Sequence, residues 1–400
     1  MLFEKFKPMA QFQAELDAQN VVPFGAVTEK ILSATEAIVN GRTVILAGTN
    51  NYLGLSFDPR VISAAQEAAG KWGVGTTGSR LANGTFSEHQ ALESELAAFY
   101  GVNHAIIFTT GFAATMGMCA TLAGPGEVIL LDADSHASIY AGAQLSGAEI
   151  IRFKHNDPAD LAKRLQRLGE RASQTLIVVE GIYSMLGDTA PLQEIVAVKR
   201  EYGGWLFIDE AHSMGVLGTH GRGAAEAAGT EDEIDFIAGT FSKSLGGTGG
   251  YCVSRHPELE TIRYCIRSYM FTASSSPMMV ASTRMALQIL QREPGLRRQL
   301  WDNANRLYRG LQALGLSVGP APSPVVAAAL EDRSQAINCW NALMEAGVYV
   351  NLVVPPASPS SNCLLRNSVS AAHSSAQIDT IVAAYAGLRD AGLIGAEQDS

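Results

Sequence analysis

The feature that most constrains this chain is a set of short, mainly apolar runs, most of which stop at a polar, chemistry-bearing residue. The runs are Ala105–Phe108, Val128–Leu131, Thr175–Val179, Trp205–Ile208, Phe236–Ala238 and Tyr251–Val253. They alternate with helical segments such as Asp160–Leu168 and Leu192–Tyr202. Continuous apolar runs are what strands buried on both faces require, and their alternation with helices specifies an α/β fold whose mainly parallel sheet is covered by helices. Ligands of such sheets bind outside the carboxyl ends of the strands. The residues that follow each run are therefore where chemistry is sought.

At 400 residues the chain exceeds one domain of about 150. It reads as an N-terminal arm (1–45, helical, then a short strand), a large domain (46–280) and a smaller α+β C-terminal domain (281–400). The boundary is placed where Pro277 leads into a long helical stretch, about 279–314. The Pro/Ser-rich stretch Pro355–Asn362 reads as a loop before the run Leu364–Val369. A helix is expected between Asn83 and Gly101, with Ser87 as N-cap, Gln90 completing a capping box, Leu92, Leu96 and Phe99 on one face, and Gly101 as stop. Residues 101–126 carry no charge, but their Thr, Gly and Pro content reads as a buried strand, a turn and a buried helix rather than a membrane span.

Lys+Arg number 29 against 39 Asp+Glu, a net charge of −10. That balance argues against nucleic acid or an anionic membrane as the main partner, while leaving room for a local anion pocket. The five cysteines are scattered and form no CxxC, so a reducing, cytoplasmic setting fits. Peripheral membrane contact stays open, because the N-terminal arm (Phe3, Phe6 and Phe12 with Lys5 and Lys7) is mildly amphipathic. No metal-ligand pattern is expected. Gly73-Val-Gly75-Thr-Thr-Gly78 matches a dinucleotide fingerprint, yet a helical segment precedes it where a strand is needed.

Two motifs stand out. Trp205-Leu-Phe-Ile-Asp209-Glu-Ala-His212 carries a buried strand straight into an acid, which needs a cation or strong hydrogen bonds. Thr240-Phe-Ser242-Lys243-Ser244-Leu-Gly246 follows another strand and surrounds a lysine with hydroxyls and glycines. Hydroxyls and backbone N–H groups suit a phosphate, and a desolvated lysine can form a Schiff base. Taken singly, Asp209 reads equally well as a cap and Lys243 as an exposed loop residue; together they point to one site. His136, after the Val128–Leu131 run, could stack on a flat cofactor ring. Gly111 and Phe112 open a helix whose N-terminus can hold phosphate.

The segments NNYLGLSFDP, GTTGSRLANGTFSEH, TTGFAAT, DADSHASIYAG, EGIYSMLGD, DEAHSMGVLG, GTFSKSLGG and LLRNSVSAAHS run in order from residue 50 to 374. As a set they resemble the α-oxoamine synthases, which are fold-type I pyridoxal 5'-phosphate (PLP) enzymes. Two positions depart from the pattern: Thr77 stands where Asn is usual, and SSSP (274–277) replaces SLPP. The resemblance implies a large PLP-binding domain, a smaller C-terminal domain, and a homodimer with shared active sites. It implies that Lys243 carries the cofactor as a Schiff base and acts as general base. Asp209 would pair with the pyridinium nitrogen, His212 would bind the ring hydroxyl and His136 would stack on the ring. Gly111, Phe112, Thr240 and Ser242 would hold the pyridine end and the phosphate, and Ser184 would contact the ring. Ser274 or Ser275 would reach the partner's phosphate. Arg366 would bind the amino-acid carboxylate, with Asn51 near the substrate. The implied reaction is a decarboxylative condensation of L-serine with a long-chain acyl-CoA; the alternative is a sister reaction using alanine or glycine and a different thioester. A catalytically silent subunit is disfavoured because Lys243, Asp209, His212 and His136 are all present.

Overall fold

The computed structural model describes residues 2–18, 21–358 and 361–394. The expected loop Pro355–Asn362 therefore includes two residues, 359 and 360, outside the described set. Two compact units make up the chain. One comprises residues 50–301 with 370–372, the other residues 1–49, 302–369 and 373–400.

In the larger unit, seven strands form one sheet: β1 (His104–Phe108), β2 (Val128–Asp132), β3 (Glu149–Phe153), β4 (Leu176–Glu180), β5 (Trp205–Asp209), β6 (Phe236–Thr240) and β7 (Gly250–Ser254). Their spatial order is β1-β7-β6-β5-β4-β2-β3. Only β7 runs antiparallel, to both β1 and β6. All six apolar runs became strands. β2, β4, β6 and β7 are buried at every residue, as two-sided covering demands. Their side chains, among them Ile129, Leu131, Val178 and Cys252, pack with Met118 and Ile139 of the flanking helices Gly111–Leu122 and Ala137–Ser146. Each such Leu, Ile or Val contributes about 1.5–3 kcal/mol by leaving water.

The seventh strand, β3, was not legible. It lies at the sheet edge, is half-open to solvent and reads Glu-Ile-Ile-Arg-Phe, so it lacks the continuous apolar signal. Two expectations are corrected. Ser87 is the first residue of helix Ser87–Tyr100, not its cap. Phe86 is the N-cap, and its N–H donates to Nδ1 of His89, which takes the place given to Gln90. The stretch 279–314 is two helices, Pro277–Arg292 and Gly295–Ala313, because Pro294 has no N–H to continue the first and keeps Glu293 out of the helical region (φ −121°, ψ 67°). Residues 101–126 form β1, a turn and the 12-residue helix Gly111–Leu122. Among the described residues no helix is long and apolar enough to cross a membrane.

The other unit holds helix Lys7–Ala18 and a sheet of Thr28–Ile31, Glu36–Val39, Arg42–Leu46 and Val348–Tyr349. It also holds a three-stranded antiparallel sheet with Cys363–Ser368 between Val325–Leu330 and Asn351–Val353. Helices Arg333–Glu345 and Ser375–Asp390 complete it.

The GxGxxG loop follows helix Pro59–Trp72 and precedes no helix until Ser87, so the dinucleotide context is absent there. It is clipped instead to the 274 segment. The Ser274 N–H donates to Gly78 O (2.9 Å), and Ser274 Oγ lies 2.6 Å from Gly84 O and 2.7 Å from Thr76 Oγ1. Thr77 sits at φ +54°, a left-handed conformation in which a β-branched residue is strained. Asn tolerates that region better. Thr77→Asn is therefore expected to raise unfolding free energy by about 1 kcal/mol, measured by urea titration. An unchanged or lower value would show that the loop holds Thr77 without strain.

Candidate active site

Four neighbouring parallel strands end in Thr240 (β6), Asp209 (β5), Glu180 (β4) and Asp132 (β2). A cavity of about 280 Å³ opens at this edge. It brings together eight residues expected from the sequence: Gly111, Phe112, His136, Asp209, His212, Thr240, Ser242 and Lys243.

Asp209 is buried. Its Oδ2 accepts from Thr115 Oγ1 (2.9 Å) and its Oδ1 from the Ala211 N–H (2.9 Å). Two neutral donors do not exhaust a carboxylate with about four acceptor sites, so Asp209 retains capacity for a cation in the cavity. His212 is also buried, with Nδ1 2.7 Å from Tyr52 Oη. The same hydroxyl lies 3.4 Å from Asn50 Oδ1.

His136 is the N-cap of helix Ala137–Ser146. Its Nδ1 accepts from the Ser138 N–H (3.2 Å) and lies 2.8 Å from Ser138 Oγ. Its own N–H donates to Glu180 Oε1 (2.5 Å). Burial depresses the His136 pKa, Asp209 opposes this, and the Lys243 charge adds to it. Burial also drives Glu180 well above the carboxylate range, reinforced by Asp209. Glu180 is accordingly disposed to carry a proton in the middle of the acid row.

On the opposite flank, Thr110 caps helix Gly111–Leu122, accepting the Ala113 N–H on Oγ1 (3.0 Å). Gly111 and Phe112 supply the remaining first-turn N–H groups, which no helix satisfies internally. Gly111 must be glycine: a Cβ there would lie 2.6 Å from Thr240 Cβ. Thr240 Oγ1 and Ser242 Oγ are 2.8 Å apart. Lys243 rides on a pinned turn, its carbonyl accepting from the Gly246 N–H (3.0 Å) and Ser244 Oγ donating to Met214 O (2.6 Å).

Other expected residues lie elsewhere. Ser274 and Ser275 line a small neighbouring pocket with Arg80 and Tyr269, and Ser275 Oγ is 3.3 Å from Phe108 O. Ser184 belongs to a turn closed by the Tyr183 N–H to Asp188 O (2.8 Å) and does not line the cavity. Neither does Asn51, whose Oδ1 accepts the Ser56 N–H (3.3 Å). Arg366 belongs to the other unit, buried in strand Cys363–Ser368 with Nη1 3.0 Å from Ser368 Oγ. Sequence reading missed Thr115, Glu180 and Tyr52. Glu180 had a signal, since it too ends an apolar run; Thr115 had only its position one helical turn beyond Gly111.

The site is that of a PLP-fold transferase, and a family comparison agrees: residues 42–384 match the model for aminotransferase class I and II, so the chain belongs to that family. It is 56% identical over 384 residues to a serine palmitoyltransferase of Caulobacter vibrioides, covering 96% of this chain and 95% of that one. It is 48% identical over 398 residues to a serine palmitoyltransferase of Sphingomonas paucimobilis, covering 98% and 94%. A solved structure of S. paucimobilis serine palmitoyltransferase with bound PLP and myriocin superposes with a TM-score of 0.96 at 47% identity, covering 98% of this chain and 100% of that one.

Tyr52→Phe removes the hydroxyl bonded to buried His212 Nδ1. It is expected to lower stability by about 1–3 kcal/mol, read by urea unfolding. A change below a few tenths would mean that the hydroxyl does not hold the imidazole.

Proposed function

We propose that the protein is a PLP-dependent acyltransferase that condenses L-serine with a long-chain acyl-CoA such as palmitoyl-CoA, releasing CoA and carbon dioxide and leaving 3-ketodihydrosphingosine. This would be the first step of sphingolipid synthesis. The observation that carries the reading is the presence of Lys243 and Asp209 in one cavity at the ends of adjacent strands. The choice of serine and a long acyl chain is supported by full-length likeness to proteins named for that reaction.

The residues fit PLP. Buried Asp209, held by neutral donors, suits a protonated ring nitrogen. The first turn of helix Gly111–Leu122, with the Thr240 and Ser242 hydroxyls, suits a phosphate. When bound, PLP supplies an electron sink that stabilises negative charge at the amino acid's Cα. Lys243 Nζ is the base that takes the Cα proton. Asp209 keeps the ring nitrogen protonated, with Thr115 fixing the orientation of its carboxylate. His212 hydrogen-bonds the ring hydroxyl. His136 packs on the ring face, and its depressed pKa keeps that imidazole neutral beside the Lys243 charge.

The working unit is a homodimer in which Ser274 or Ser275 reaches the partner's phosphate; both stand outside the cavity of their own chain. Exposed Leu2, Phe3, Phe6 and Met9 support peripheral contact with a membrane that takes the lipid product. Five unpaired cysteines support a cytoplasmic setting.

The test is a visible spectrum of the purified protein titrated with L-serine, L-alanine and glycine in turn. A yellow protein whose band shifts most tightly with L-serine is expected. Tighter response to glycine or alanine would move the reaction to a sister condensation, and a colourless protein after added PLP would undo the reading. Lys243→Ala is expected to abolish turnover with the fold kept, and Asp209→Asn to slow it by several orders of magnitude. Near-normal rates in either would mean the roles are misassigned.

A further inference from the structure

His155 lies in the turn after β3 and does not line the cavity. Its Nδ1 is 2.8 Å from Asp132 Oδ1 and its Nε2 is 2.7 Å from Asp188 Oδ2. A ring that donates to a carboxylate from both nitrogens must carry both protons. Asn156 doubles each link. Its N–H donates to Asp132 Oδ2 (2.9 Å) and its amide to Asp188 Oδ2 (2.8 Å). The Tyr183 ring meets the imidazole edge-on, with centroids 4.5 Å apart, and Asp134 Oδ2 stands 3.9 Å from Nδ1.

The two acids so joined begin different loops. Asp132 ends β2, and its Oδ1 also accepts the Asp134 N–H (2.9 Å), starting the turn that delivers His136. Asp188 closes the turn that carries Ser184. Between them, Glu180 at the end of β4 accepts the His136 N–H. Asp132 is fully buried. Without a cation it would add an unpaired charge beside Asp134, Asp188 and Asp209.

We propose that His155 is a positioning residue, a standing imidazolium that fastens the His136 loop (132–136) to the Ser184 turn (183–188) and thereby sets the wall against which the cofactor ring packs. Burial opposes a cation here, but the hydrogen bonds and charges of Asp132 and Asp188 outweigh it and push the His155 pKa up to about 10. The ring therefore stays charged throughout the neutral range. The last clause of the proposal rests on the PLP reading; the clamp itself does not.

The experiment compares the full-length protein with His155→Phe, which keeps a ring against Tyr183 and removes both donors. Hydrogen exchange is read without cofactor or substrate, and PLP affinity is then measured from the visible band. Amides of 133–137 and 183–189 are expected to exchange at least about tenfold faster, those of β1 and β7 to be unchanged, and the PLP dissociation constant to rise about tenfold. Unchanged exchange in both loops, or a uniform rise across the sheet, would overturn the clamp. An unchanged PLP dissociation constant would overturn its role at the cavity. If His155→Phe does not fold, Asp188→Asn decides. It keeps the Asp132 pair, so faster exchange confined to 183–189 with weaker PLP binding supports the proposal, and neither change refutes it. A parent protein that bound no PLP would remove the proposed function, whereas the exchange pattern would still judge the clamp.

Discussion

A carboxylate placed at the end of a fully buried strand is the constraint around which the larger unit is organised. Asp209 cannot be withdrawn into the sheet, because Ile208 and Phe207 behind it are wholly buried. Nor can it be left bare, because an unpaired buried charge costs several kcal/mol. The chain meets it from two sides. Thr115 reaches across from the helix after β1, and the backbone turns back at Ala211. Both donors are neutral, and the carboxylate faces a cavity that Lys243 also lines.

The neighbouring strands solve the same problem differently, and the differences divide the roles. Asp132 is paired with a histidine from within the protein. Glu180 is driven toward its protonated form by burial and the Asp209 charge, against the Lys243 charge, and holds a backbone N–H. Asp209 faces the cavity, held by two neutral donors. Three acids on adjacent strands thus stand in three different settings: one beside a histidine, one on a backbone N–H with its pKa driven up by burial, and one facing the cavity. The register that sets Glu180 opposite Asp209 makes this division necessary.

Much of this was legible in the sequence, and for a physical reason. Strands buried on both faces cannot hide polar residues, so a polar residue at the end of an apolar run marks the edge of the sheet. Asp209, His212, Lys243 and His136 were found that way. What was not legible depended on contacts between distant segments. Thr115 is one threonine among several until its helix packs beside β5. Tyr52 gains meaning only when it meets His212, 160 residues on. His155 lies beyond an edge strand whose half-exposed sequence gave no signal. The capping of Ser87–Tyr100 was misread because His89, not a carboxylate or amide, supplies the reciprocal bond. Local pattern fixes where elements lie; which polar groups answer each other is a property of the packed chain.

Strand order also gives the cavity a polarity. Helix Gly111–Leu122 leaves β1, and its first residue presses against Thr240 at the end of β6, so N–H groups and hydroxyls gather on that flank. Asp209, Glu180 and Asp132 follow in the opposite direction along the sheet. Lys243, on the loop after β6, lines the same cavity. A ligand anionic at one end and cationic at the other is therefore bound in one orientation only, since reversal would put its anion on the acid row and its cation on a helix N-terminus. For a chain with a net charge of −10, this separation matters. The overall field repels anions, and affinity for one must come from the few donors aimed into the cavity. Those donors sit on a capped helix and a pinned turn, so they are set before the ligand arrives and little ordering remains to oppose binding.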